Sequence, residues 1–210
     1  MENQQTPLQI EDVRESMYAG FWIRLGSLFL DGLFLWPLTW LVGYLNGTGI
    51  HMYYYTVVPM FLFGLWYNIY LPKRYGGTAG KLAVGIKIVR LDGTPIDWKE
   101  ATLRYLVTLI FVVMTIGLMV YCLGKADEET YLNMGWMKRT GYLVSFAPLL
   151  FKITSWSQGL WDMSELVVLL TNPRKRALQD FMAGTVVVKA IYLGRIREAM
   201  RPSGMEAEKN

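Results

Sequence analysis

At 210 residues, with 53% hydrophobic, 14% aromatic and 18% charged side chains, the chain is too apolar for an ordinary soluble domain and too charged to lie wholly in lipid. Its formal net charge of +4 rests on 21 Lys and Arg, whose placement matters more than their sum. One membrane domain with sizeable aqueous segments and no nucleic-acid partner is expected.

Residues 1–17 read as a polar tail carrying Glu2, Glu11, Asp12 and Glu15, without the basic flank, short apolar core or cleavage site of a removable signal peptide. Four apolar regions follow, at residues 21–45, 51–71, 103–123 and about 141–171. The first three have the length of single spanning helices. The fourth is interrupted by polar Lys152-Ile-Thr-Ser-Trp-Ser-Gln158 and fits either one long tilted helix or a helix broken around residues 154–159; one bent crossing is favoured. The expected fold is thus an all-α transmembrane bundle of four spans.

The first region holds Asp31 roughly ten residues in, near the bilayer midplane, where an unpaired charge costs several kcal/mol. Arg24, seven residues earlier, shares its helix face but lies about 10.5 Å away along the axis and leans toward the N-terminus, so a direct bridge is not expected. Asp31 needs a partner from another element: Arg104, Lys152, or amide and hydroxyl groups such as Asn68. Trp36, Trp40, Tyr44, Trp66, Tyr67, Tyr70, Trp156 and Trp161 suit interfacial belts or bundle core.

Residues 72–102 form more than a linker. Gly76-Gly-Thr-Ala-Gly-Lys81 invites a phosphate-loop reading, but Tyr75 and Leu82 break that motif, and the glycines are assigned to a sharp turn. Ile86-Lys-Ile-Val-Arg-Leu-Asp-Gly-Thr-Pro95 alternates as a strand and ends in a turn signal; Gly184-Thr-Val-Val-Val-Lys-Ala190 is a second strand to pair with it. Between the last span and that strand, Asn172-Pro173 caps a short basic interfacial helix ending at Gly184, whose Arg174, Lys175 and Arg176 are expected to meet anionic headgroups. Residues 18–190 make up the membrane domain, with residues 172–190 as interfacial helix and strand, and residues 191–210 as a basic, then polar, tail.

Seventeen of the 21 Lys and Arg fall on the N-terminal side with Arg24, in residues 72–104, or after 172, and none lies in the turn after Leu45. The positive-inside bias then places both termini and the middle connection in the cytoplasm of a multi-pass inner (plasma) membrane protein. The single Cys122 and single His51 exclude a disulfide framework within the chain and Cys- or His-based metal and triad chemistry. With no Gly-x-Ser-x-Gly and no nucleophile–base pair, no enzyme activity, catalytic residue, cofactor or metal is expected.

Arg24 in Gly20-Phe-Trp-Ile-Arg-Leu25, Asp31, Gly77-Thr-Ala-Gly-Lys-Leu-Ala-Val-Gly-Ile-Lys-Ile-Val-Arg-Leu-Asp-Gly93, Leu103-Arg-Tyr105 and Arg176-Ala-Leu-Gln-Asp-Phe-Met-Ala-Gly-Thr-Val-Val-Val188 occur in an order that resembles the RDD family of small membrane proteins. The resemblance runs from Tyr18 to Lys189, and the Arg and two Asp that give the family its name correspond to Arg24, Asp31 and Asp180. Where that last block often carries His, this chain has Gln179, which cannot shuttle a proton. The resemblance implies a bacterial-type inner-membrane protein, for which transport, including cation/proton exchange, has been suggested.

Two readings follow. In the first, a transport module binds a small cation or proton at Asp31, supported by Asn68, Lys152, Asp162 and Glu165; Asp162 and Glu165 share a helix face. Four spans enclose little pathway, so a homo-oligomer or membrane-protein partner is then needed. In the second, Arg24, Asp31, Asp180 and Arg104 form an architectural charge cluster in a non-transporting scaffold that binds a partner.

Overall fold

The computed structural model describes residues 16–199. Helix α1 (Phe21–Asn46) leads through a short turn into α2 (Met52–Leu65), which passes without a break through a π-helical turn (Trp66–Tyr70) into α3 (Leu71–Tyr75). Gly76, at φ 87°, ends that rod in a left-handed conformation open to glycine. Short α4 (Ala79–Ala83) and strand β1 (Ile86–Arg90) follow, then α5 (Trp98–Leu123). Asp97 and Glu100 start α5 as a capping box, and Glu100 also takes a hydrogen bond from Arg90 at 3.0 Å. Helices α6 (Glu128–Asn133), α7 (Trp136–Ser145), α8 (Pro148–Thr171) and α9 (Leu178–Met182) precede strand β2 (Thr185–Lys189), a 3-10 turn (Ala190–Tyr192) and α10 (Leu193–Ala199).

Helices α1 and α5 are long and apolar enough to cross a bilayer, with mean hydropathy of 1.5 and 2.6 in their most apolar stretches. The polarity of α1 is inverted relative to a soluble helix. Its buried residues are Ser27 and Asp31, while Trp22, Phe29, Trp36 and Trp40 face outward. Such a surface is stable against hydrocarbon and costly against water.

The fourth apolar region does break, but not where its polar residues suggested. The helix stops at Ser145 and restarts at Pro148, leaving Ala147 outside helical geometry (φ −148°, ψ 56°), while residues 154–159 run unbroken through α8. Proline at the first helical position, which disfavours helix in the residue before it, outweighs Gly159 and the serines.

The two expected strands pair antiparallel, Ile88 opposite Val187 and Val89 opposite Val186. The sheet is covered on both faces. Ile86, Ile88 and Val187 pack on Ala101, Ile96 and Ala19, whereas Val89, Val186 and Val188 pack on Met17, Tyr18 and Ile196. Both edges are closed as well: Lys189 N donates to Met17 O at 2.8 Å on one side and Arg90 N to Thr94 O at 2.9 Å on the other.

Three boundaries therefore need correction. Met17 belongs to the core rather than to a polar tail; the rest of that segment, apart from Ser16, lies outside the described residues. Residues 193–199 are helix α10, held by buried Ile196, while residues 200–210 also lie outside the described residues. The basic interfacial helix is only the five-residue α9: Asn172 Oδ1 instead accepts from Arg174 N and Arg176 N, turning the basic run into an irregular loop.

Candidate functional site

The structure gathers Arg24, Arg104 and Asp180 where α1, α5 and α9 meet the sheet. Asp180 is fully buried, and its Oδ2 accepts from Arg24 at 3.0 Å and from Ala177 N at 2.9 Å. Its Oδ1 accepts from Arg104, which also donates to Thr185 Oγ1 at 2.6 Å. Arg24 fixes two more backbone carbonyls, Ala19 at 3.0 Å and Lys175 at 2.6 Å. Arg176 leaves the headgroup position expected of it and turns inward, donating to the carbonyls of Thr185 and Asp180, each at 3.0 Å, with its guanidinium over the Phe181 ring. Burial alone would raise the Asp180 carboxyl, but Arg104, Arg24 and the Ala177 N–H outweigh it and hold it at about 2.

Asp31 is buried too, in a separate nest. Tyr67 donates its hydroxyl to Oδ1, Thr78 Oγ1 donates to Oδ2 at 2.7 Å, and Gly80 N donates to Oδ1 at 2.6 Å. Hydroxyls were expected as a class, but none of the residues named as partners is used: Arg104 serves Asp180, Lys152 is exposed, and Asn68 donates to Gly64 O at 3.0 Å. The glycine-rich loop that resembled a phosphate cradle thus wraps the chain's own carboxylate. Tyr67, grouped by sequence with interfacial aromatics, is only 6% exposed and faces inward from the π-helical turn. Thr78 and Gly80 had a visible signal, the glycine-rich spacing; Tyr67 had none beyond its aromatic neighbours.

Lys81 stands at the Asp31 nest and feels the charges of both sites. Its Nζ donates to Thr78 Oγ1 at 3.3 Å, the hydroxyl that serves Asp31. Burial, then the Arg104 charge, push its ammonium down to about 8 against the partial support of Asp31. Below about 8 the group is charged both folded and unfolded; between about 8 and the ordinary 10.5 only the unfolded chain holds the proton. Stability should therefore rise with pH across that window. Melting temperatures of the detergent-solubilised protein from pH 7 to 10 should rise more for the wild type than for Lys81→Met; parallel curves would refute the assignment.

Of the second-rank residues, Glu165 is held on Gln179, whose N and Nε2 donate at 2.7 and 3.0 Å. Asp162, one turn earlier on α8, is exposed at the wall of a cavity beside Arg24. The structure thus joins Arg24, Arg104 and Asp180, holds Asp31 in a separate nest, and leaves Lys152 apart. Among the described residues no group of three or more His, Cys, Asp and Glu is placed to hold a metal ion.

Comparison with known proteins identifies the family. The family model described as the RDD family matches residues 18–184, a stretch containing all three signature charges. The uncharacterized protein YckC of Bacillus subtilis (strain 168) is 28% identical over 174 residues, covering 82% of this chain and 85% of that protein. No solved structure matches the chain. With its inverted α1, its two buried Asp and an Arg24 paired to the second of them, the chain belongs to the RDD family of membrane proteins.

Proposed function

We propose that this protein is a four-span plasma-membrane scaffold, both termini cytoplasmic, whose signature charges fasten a cytoplasmic platform beneath the spans for a partner to engage. The observation that carries this reading is the set of groups around Asp31. All three are hydrogen-bond donors, two hydroxyls and one N–H, the complement of a carboxylate and not of a cation, which would need oxygen lone pairs turned inward. Arg24 and Asp180 are likewise taken up in bonds between elements distant in sequence. Anionic headgroups then meet exposed Arg74 and Lys73, whose ammonium lies over the ring of exposed Trp98, instead of the inturned Arg176.

The test is Asp31→Asn in reconstituted vesicles. The expected result is a lower folded yield and melting temperature, with no change in proton or small-cation flux beyond that set by the amount of folded protein. Flux through wild-type vesicles that vanishes in a well-folded Asp31→Asn variant overturns the proposal.

A transport reading retains support from Asp162 and Glu165, which line a cavity of about 490 Å³ opening between α1 and α8. In that case the cation path follows α8, not Asp31, and an oligomer completes it.

A further inference from the structure

Toward the end of the bundle away from the sheet, α5 and α8 part to leave a groove of about 300 Å³. Met114, Gly117, Leu118 and Tyr121 form its α5 side, and Leu150 and Thr154 its α8 side. Gly117 keeps the α5 wall open, since a Cβ added there would meet nothing within 4 Å. Thr154 is only 9% exposed, yet its hydroxyl makes no hydrogen bond among the described residues. Other hydroxyls in the long helices behave differently: Thr39, Ser164 and Thr171 each donate to a carbonyl of their own helix, at 2.9, 2.7 and 2.9 Å. A hydroxyl buried among apolar groups without an acceptor costs free energy, so the occupant that suits this groove brings one.

The mouth of the groove is cationic. Just past the end of α5, the Lys125 ammonium stands 4.6 Å from the centre of the half-exposed Tyr121 ring. Along α5 the residues therefore run from apolar Met114 and Leu118 through a phenol to a cation within about three turns. A membrane glycerolipid has the complementary order: hydrocarbon chain, ester carbonyl, phosphate. A bare hydrocarbon would fill the walls and leave the Thr154 hydroxyl unpaired. A helix from a second copy of the chain, about 10 Å across, exceeds a groove of this volume and would have to bury the Lys125 ammonium. We propose that the α5–α8 groove holds one ester-linked phospholipid, its acyl chain against Met114, Leu118 and Leu150, an ester carbonyl accepting from Thr154, and its phosphate at Lys125. The inference rests on the four-span reading in one respect, that α8 lies in the bilayer; it is independent of Asp31 and of any partner at the cytoplasmic platform.

The full chain, purified in detergent and stripped of lipid, is titrated with phosphatidylglycerol and with its diether analogue of the same chains, and bound lipid is counted by native mass spectrometry. Saturable retention of one ester lipid per chain is expected, with the ether lipid about fivefold weaker for want of the carbonyl. Thr154→Val should bring the ester lipid down to the level of the ether, and Thr154→Ser should restore the difference. Gly117→Leu, whose added side chain starts in open space, should abolish retention, and Lys125→Gln should weaken both lipids alike. Equal retention of the two lipids by the wild type, a Thr154→Val variant that keeps the difference, or lipid-independent pairing of two chains through the groove each overturns the proposal. A membrane-impermeant maleimide separates that failure from a failure of the four-span reading. In proteoliposomes, exposed Ser157 replaced as Ser157→Cys should stay unlabelled against the background of buried Cys122. Labelling would place α8 in water and overturn both, whereas an unlabelled cysteine with no ester preference overturns the lipid site alone.

Discussion

Replacing Asp180 by Ala should cost about 3–5 kcal/mol of folding free energy, the range for removing one partner of a buried ion pair. The size follows from what the carboxylate leaves behind. Arg104 is 8% exposed and Arg24 lies beside it, so two guanidiniums would face one another in a closed space without their common counter-charge. The Ala177 N–H would lose its acceptor as well. Because Asp180 sits on α9 while its partners start α1 and α5, its loss unfastens three elements and exposes the sheet they cover. Thermal unfolding in mild detergent, followed by tryptophan fluorescence, should show the drop. Arg104→Leu combined with Asp180→Leu should recover part of it, since an apolar pair leaves less unsatisfied charge than a lone guanidinium. Acid offers a second check: a carboxyl held at about 2 instead of 3.8 contributes fully above its ordinary value and loses that contribution as pH falls toward 2. A loss below about 1 kcal/mol for Asp180→Ala would mean that the cluster is solvated and not structural.

The elements most legible in the sequence were those with a strong local pattern. The β-branched run at residues 185–189 and the Asp92-Gly93 turn marked a hairpin-like pair across almost a hundred residues, and the structure pairs them. Arg24, Arg104 and Asp180 were readable as neighbours because each lay at a boundary where only another charge could satisfy it. The partners of Asp31 were legible only as a class, hydroxyl or amide, and not by residue. Its donors are two hydroxyls and one backbone N–H, and uncharged groups leave no mark on a search for counter-ions. The basic run at residues 174–176 misled because three adjacent cations suggest a headgroup face, whereas Asn172 turns the chain so that Arg176 enters the core. In α10 a single buried isoleucine between charged residues carries the docking, too thin a stripe for periodicity to detect.

Gly80→Ala should be nearly as damaging as the loss of Asp180, although it adds only a methyl group. Helix α4 lies against α1 backbone to backbone, and a Cβ at position 80 would stand 2.7 Å from both Cγ and N of Asp31 and closer still to the Ser27 carbonyl oxygen. Those atoms belong to the interior of a 26-residue helix and cannot yield as a flexible side chain would. Helix α4 must retreat, at about 1–3 kcal/mol for overpacking, and its retreat withdraws the Gly80 N–H and the Thr78 hydroxyl from Asp31. A buried carboxylate then keeps only Tyr67, which adds a penalty of at least about 1–3 kcal/mol. The two contributions separate in a double-mutant cycle of Gly80→Ala with Asp31→Asn: the steric part persists, while the electrostatic part shrinks once the charge is gone. Gly159→Ala supplies the control, because that glycine lies within α8 with nothing inside 4 Å of its added Cβ, and there Ala should stabilise the helix by about 0.5–1 kcal/mol. Additive melting shifts in the cycle, or a Gly80→Ala variant as stable as Gly159→Ala, would show that the glycine-rich loop does not hold the Asp31 carboxylate against α1.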